Sequence, residues 1–152
     1  MRRVVTFLTA FTTILLGALT LAPSASAAGY GCSGSQIDSY SVITGSANGS
    51  VNYGNVYLYY DSSTGYNCAV TVANSAGGNG VAKEMYISLI KCTQTTSTGT
   101  CTLTSTRDED KGNYLNYAGP VKIPAAGHCI QISGRIVYKG KSAGAFSIGH
   151  CG

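Results

Sequence analysis

The sequence predicts an all-β domain: a small antiparallel sandwich or barrel of seven or eight short strands stapled by three disulfides. Three observations carry this. Apolar residues alternate with polar ones in several short runs, and no ten-residue window beyond the leader shows helical spacing. Clusters of Gly, Ser, Thr and Asn separate the runs. Six cysteines, an even number, follow an apolar leader of the kind that directs export. With 44% hydrophobic and 11% charged residues in a chain of 152, the composition suits one compact domain and excludes collagen-like, coiled-coil and highly charged disordered classes.

Arg2 and Arg3 form a basic start, Val4 to Leu21 an apolar stretch, and Ala25-Ser26-Ala27 a small-residue cleavage site. Residues 1–27 are therefore expected to be a signal peptide, removed by general secretion, with no membrane segment after cleavage. Residues 28–152 then form a single secreted β domain.

A first strand is expected around Ile37, Tyr40 and Val42. A second alternates Val56, Leu58 and Tyr60 with Tyr57 and Tyr59, and a third alternates Cys68, Val70 and Val72 with Asn67, Ala69 and Thr71. Asp61 to Gly65 has turn composition and joins these two. Beyond the Asn74 to Gly80 loop, Val81 to Ile90 reads as a long strand with its odd positions mostly apolar. Thr102 to Thr106 reads as a Thr-rich strand, and Arg107 to Asn113 as a charged turn. Ile130, Ile132, Ile136 and Tyr138 share one face, with Gly134 suggesting a bulge or bend. A last short strand is expected over Ala145 to Ile148.

The mature chain carries eight Lys and Arg against six acidic residues, a net charge of +2, with the cations scattered. Nucleic-acid binding wants cations clustered on one element, so no nucleic-acid partner is expected. No cofactor motif appears.

Six cysteines allow 15 pairings. Cys92 ends one strand-like run and Cys101 opens the next, which favours a local clip. Cys32 and Cys151 lie near the mature ends and are expected to tie them, leaving Cys68 with Cys129. Zinc is disfavoured because the closest cysteines are nine apart.

Asp108, Asp110 and Asn113 are a calcium candidate set against a plain solvated turn, but they lack the Gly and distal Glu of an EF-hand loop. A glycoside hydrolase would need two carboxylates across a sugar bond, with Glu84 and one of Asp38, Asp61 or Asp110 as the paper pairing. Glu84, however, falls on the solvent face of its strand. No G-x-S-x-G elbow is present, and His128 and His150 each neighbour a cysteine, which favours packing beside disulfides.

All eleven tyrosines lie in the mature chain. If Leu58 and Tyr60 face the core, Tyr57 and Tyr59 form an exposed aromatic pair with Asn52, Asn55, Asn67 and Tyr66 nearby, residue types that stack on and bond to sugars. Half-buried β surface also favours Tyr by propensity, and both accounts stand at this point. Val56 to Tyr60 and Tyr86 to Ile90 are uncharged, Pro-free windows suited to edge-to-edge self-association.

Four stretches carry a family likeness: Tyr66-Asn67-Cys68-Ala69-Val70-Thr71-Val72; Asp110 to Val121, with Tyr114-Leu115-Asn116-Tyr117-Ala118-Gly119-Pro120-Val121; Ala126 to Gly134 around His128-Cys129; and the closing Cys151-Gly152. In these the chain resembles the spore-associated protein A family of streptomycetes and related actinomycetes. The resemblance implies an exported protein found with spores, with no catalytic residue set. It also implies four family cysteines at Cys32, Cys68, Cys129 and Cys151, with Cys92 and Cys101 additional here, and a pair added together most simply bonds to itself. The expected function is a secreted structural or binding component of the cell or spore surface without catalysis. The alternatives are a module that binds cell-wall or spore-wall glycan through the tyrosine face, and a small hydrolase.

Overall fold

The computed structural model describes residues 29–45 and 49–152, so the expected signal peptide lies outside the described residues. Eight antiparallel strands follow one another: β1 (Ser35–Thr44), β2 (Asn52–Asp61), β3 (Tyr66–Ala73), β4 (Lys83–Cys92), β5 (Leu103–Tyr114), β6 (Tyr117–Pro124), β7 (Ile130–Tyr138) and β8 (Lys141–Gly149). They form one sheet in the order β5-β4-β7-β8-β1-β2-β3-β6. A single 3-10 turn, Gly29–Gly31, is the only helical element among the described residues.

The sheet curls into a nearly closed barrel, and two seams need closing. At the first, end strands β5 and β6 meet through side chains of β5. The N–H of Gly119 donates to Oδ2 of Asp110 at 2.6 Å, and the N–H of Lys122 to Oδ2 of Asp108 at 2.8 Å. At the second, β1 and β8 pair only through Ile43 with Gly144 and Thr44 with Ala143. Register shifts bend β1 between Gln36 and Asp38 and between Val42 and Ile43. Where the two strands diverge, side chains of Asp38, Tyr40 and His150 bridge the gap.

The barrel interior is apolar, and the alternation read from the sequence points into it. Val56 and Leu58 of β2, Met85, Ile87 and Leu89 of β4, and Ile130, Ile132 and Ile136 of β7 are buried together with Val42, Val121 and Ile123. Burial of such side chains contributes roughly 1.5–3 kcal/mol each relative to exposure.

Three expectations about elements are corrected. Arg107 to Asn113 is not a turn but the middle of β5, where inward Asp108, Asp110, Gly112 and Tyr114 are half-buried while Arg107, Glu109, Lys111 and Asn113 are exposed. Charge hid an ordinary period of two. Tyr117–Pro124 is a strand that its Gly and Pro content concealed, with Ala118, Val121 and Ile123 buried. Its Pro120 is tolerated because β6 ends the ladder order. At Gly134 there is no bulge, since β7 keeps unbroken register with β4 and β8 through it. The reason for glycine is close approach: a Cβ there would sit 2.2 Å from Cγ2 of Val56 across the barrel.

The disulfides are Cys32–Cys68, Cys92–Cys101 and Cys129–Cys151. The local clip is as expected; the Cys32–Cys151 and Cys68–Cys129 pairings are not. Hairpin register decides the matter. Ile130 faces Gly149 in the β7–β8 ladder, so Cys129 and Cys151, just beyond that end, stand side by side with Cα atoms 3.8 Å apart. Cys68 instead shares the outer face of β3 with Val70, where Cys32 reaches it from the segment before β1. Neither window suited to self-association is an edge, because β2 is flanked by β1 and β3, and β4 by β5 and β7.

Candidate functional site: an aromatic ledge on the outer face

The outer face of β2 carries Asn55, Tyr57 and Tyr59, opposite Val72, Val70 and Cys68 of β3. Over this face the Cys32–Cys68 bond pins the Gly29–Gly31 turn. Gly29 lies directly above the Tyr59 hydroxyl, where no side chain would fit, and Pro120 supports Gly31 from below. Tyr30 between them takes φ 58° and ψ 28°, a left-handed conformation uncommon for a bulky residue. Such local cost persists where surrounding structure holds it, here a disulfide two residues on.

This conformation lays the Tyr30 ring beside two others. It stacks on Tyr57 with centroids 6.1 Å apart and planes 11° apart, and meets Tyr117 of β6 at 5.2 Å and 60°. Tyr30 is 41% and Tyr117 37% exposed, while Tyr57 is half-buried beneath Tyr30, so the three rings form a partly exposed ledge. Asn55 lies on the same face two residues before Tyr57, its Oδ1 accepting from the Ser41 hydroxyl at 3.5 Å.

Of the four residues singled out from the sequence, Tyr57 and Asn55 share this face. Tyr59 does not form an exposed pair with Tyr57: it is only 6% exposed, in a small buried cluster with Cys32, Cys68 and Val70. Burial, with Tyr30 and Tyr57 close by, pushes its hydroxyl pKa up. Tyr66 is exposed, but four residues along β3 from the partner of Tyr57, or about 13 Å at strand rise. Tyr30 and Tyr117 were missed. The Cys32–Cys68 bond is the signal that places Tyr30 here, and the expected Cys32–Cys151 pairing removed it.

The calcium candidate does not assemble. Asp108 and Asp110 face inward and accept backbone N–H groups, and Asp110 also accepts from the Tyr114 hydroxyl, whereas Asn113 faces the other side of β5. With Asn113 on the other face, the three oxygens do not converge on one point.

Nor do the carboxylates form a hydrolytic pair. Glu84, on the outer face of β4, bonds Arg135 at 2.8 Å and lies 3.8 Å from Lys111. Asp61 accepts from the N–H and hydroxyl of Ser63, which hold its carboxyl below the ordinary range. Glu109 accepts from the Tyr86 hydroxyl at 3.4 Å. Asp38 lies 3.1 Å from Nε2 of His150, whose Nε2 is also 2.7 Å from the Tyr40 hydroxyl. Burial raises the Asp38 pKa, but bonds from the Ser39 N–H, Tyr40 and His150 outweigh it and the net shift is downward. Tyr40 is pushed up to about 12, chiefly by burial. All six acidic side chains of the protein thus have structural partners, and the expected paper pairings of Glu84 with Asp38, Asp61 or Asp110 find no common cleft among the described residues. His150 does more than pack beside a disulfide, since it closes the β1–β8 seam.

Fold and face together define a class: a helix-poor β barrel pinned by three disulfides, with no free cysteine and an aromatic ledge on one outer face. Exported proteins carry such disulfides because the outside is oxidising. Within that class the chain belongs to the spore-associated protein A family. It is 35% identical over 136 residues to Spore-associated protein A of Streptomyces coelicolor, an alignment covering 85% of this chain and 77% of the relative. No family model matches the chain, and no solved structure matches it.

Proposed function

We propose that the protein is an exported, non-catalytic component of the cell or spore surface that binds wall glycan through the Tyr30–Tyr57–Tyr117 ledge. The observation that carries this is the ledge itself: three adjoining tyrosine rings, two of them well exposed, one held in a costly backbone conformation by a disulfide beside it. Aromatic faces with polar neighbours such as Asn55 match the alternating C–H and hydroxyl surfaces of sugars. The name of the relative supports a place on spores, and the structural engagement of every carboxylate supports the absence of hydrolysis.

The test is co-sedimentation of the secreted protein with isolated spore wall and vegetative wall across a range of polymer concentrations. Saturable retention on either wall is expected. Retention no greater than on an inert polysaccharide would overturn the proposal.

A further inference from the structure

At the end of the barrel that carries the Asp61–Tyr66 turn, the interior opens into a cavity of about 160 Å3. Ile37, Tyr60, Asn67, Ala125, Ala126 and His150 line it. Asn67 points inward from β3 and is only 3% exposed, yet among the described residues its side-chain amide makes no hydrogen bond. Its polar atoms therefore face the cavity, where water reaches them and where a ligand amide could take the place of that water. His150 is fixed at the rim. Its Nε2 lies 3.1 Å from Oδ2 of Asp38 and 2.7 Å from the Tyr40 hydroxyl.

We propose that this cavity binds the acetamido group of an N-acetylated amino sugar. The inference rests on the glycan reading above and adds the sugar type, at a different place on the barrel. Asn67 offers one acceptor and paired donors, and a secondary amide offers one N–H and one C=O, so the two groups satisfy each other. The methyl groups of Ala125 and Ala126 and the side chain of Ile37 give the acetyl methyl an apolar seat, while the Tyr60 ring offers a face to the sugar. The space equals roughly five waters, the size of a small branch group with the adjoining ring edge. A plain hydroxyl leaves part of the Asn67 amide unpaired, and an ammonium would lose its water beside alanines. A peptide carries the same amide, so a blocked alanine is the competing probe.

The test is a titration of the 15N-labelled secreted protein followed by NMR, with N-acetylglucosamine, glucose, glucosamine and N-acetylalanine methylamide as probes. N-acetylglucosamine is expected to shift the Asn67 side-chain signals and the Gly127 amide saturably, and glucose and glucosamine to bind at least tenfold more weakly. Asn67→Leu, with Tyr60→Ala as a second variant that removes the ring should the first not fold, is expected to weaken binding, about tenfold or more for the loss of the amide. Tyr57→Ala, on the ledge, is expected to leave this response intact, so a failed ledge and a failed cavity are separately visible. Equal response to glucose, preference for the blocked alanine, silence with every probe, or a folded Asn67→Leu that binds as before would each overturn the inference.

Discussion

Closure of the β5–β6 seam by two carboxylates can be tested by removing one of them. Asp110→Ala deletes an acceptor that serves both the Gly119 N–H, at 2.6 Å, and the Tyr114 hydroxyl. Hydrogen bonds to a charged partner contribute about 1.5–3 kcal/mol each, and Asp110 is only half-buried, so the low end of that range applies to each bond. The loss is then about 2–3 kcal/mol, or roughly 10 °C in Tm for a domain of this size. Glu109→Ala is the control, since its side chain faces solvent on the same strand and bonds only Tyr86 at 3.4 Å. It should change stability by no more than about 0.5 kcal/mol. Urea denaturation measures both variants, and amide hydrogen exchange reads the seam directly: Gly119 should lose protection in Asp110→Ala and keep it in the control. If the two substitutions cost the same, or if Gly119 exchange is unchanged, the carboxylates do not close the barrel.

Three further outcomes follow from the same structure. Proteolytic mapping of the non-reduced protein should recover Cys32 linked to Cys68 and Cys129 linked to Cys151, and deleting the Cys92–Cys101 clip should cost about 2–3 kcal/mol on the chain-entropy model, less than the roughly 4 kcal/mol for Cys32–Cys68. Recovery of a Cys32–Cys151 peptide would contradict the fold. Gly134→Ala should destabilise by roughly 1–3 kcal/mol by thrusting a methyl onto Val56 and Thr71, and a neutral result in thermal unfolding would mean that β7 does not press on β2. In an alkaline absorbance titration, Tyr40 should ionise near pH 12, with Tyr59 and Tyr114 also late. Because the folded pKa of Tyr40 lies above its unfolded value near 10, this group's contribution is full below pH 10 and is lost as pH rises toward 12, so stability should fall over that window. Tyr40→Phe should remove the latest ionisation; if it persists, the β1–β8 seam is not built around Tyr40.

Much of the barrel was legible in the sequence because burial imposes a period of two. Val56 and Leu58, Met85 to Leu89 and Ile130 to Ile136 announced their strands directly. β5 and β6 were harder because a seam is where barrel strands turn polar: Asp108 and Asp110 sit at inward positions to accept N–H groups, and so read as a solvated turn. The pairing of Cys129 with Cys151 was within reach, since a hairpin joining the strands before and after Lys139-Gly140 brings those ends together. The pull of the chain termini was the weaker argument and misled. That error propagated to the site, for without Cys32 on Cys68 nothing places Tyr30 over Tyr57 or hides Tyr59. Asn67, expected beside the tyrosine face, points inward instead, a placement that depends on its strand register.

The most direct test of the central claim compares wall binding by the protein with that of a Tyr30→Ala, Tyr117→Ala double variant. Both residues lie outside the barrel core, so the variant should keep its fold by circular dichroism. Loss of two stacking rings at about 0.5–1.5 kcal/mol each should weaken wall affinity roughly 5- to 150-fold. Unchanged affinity in a folded variant would contradict the account and leave the tyrosines as surface covering for a β barrel.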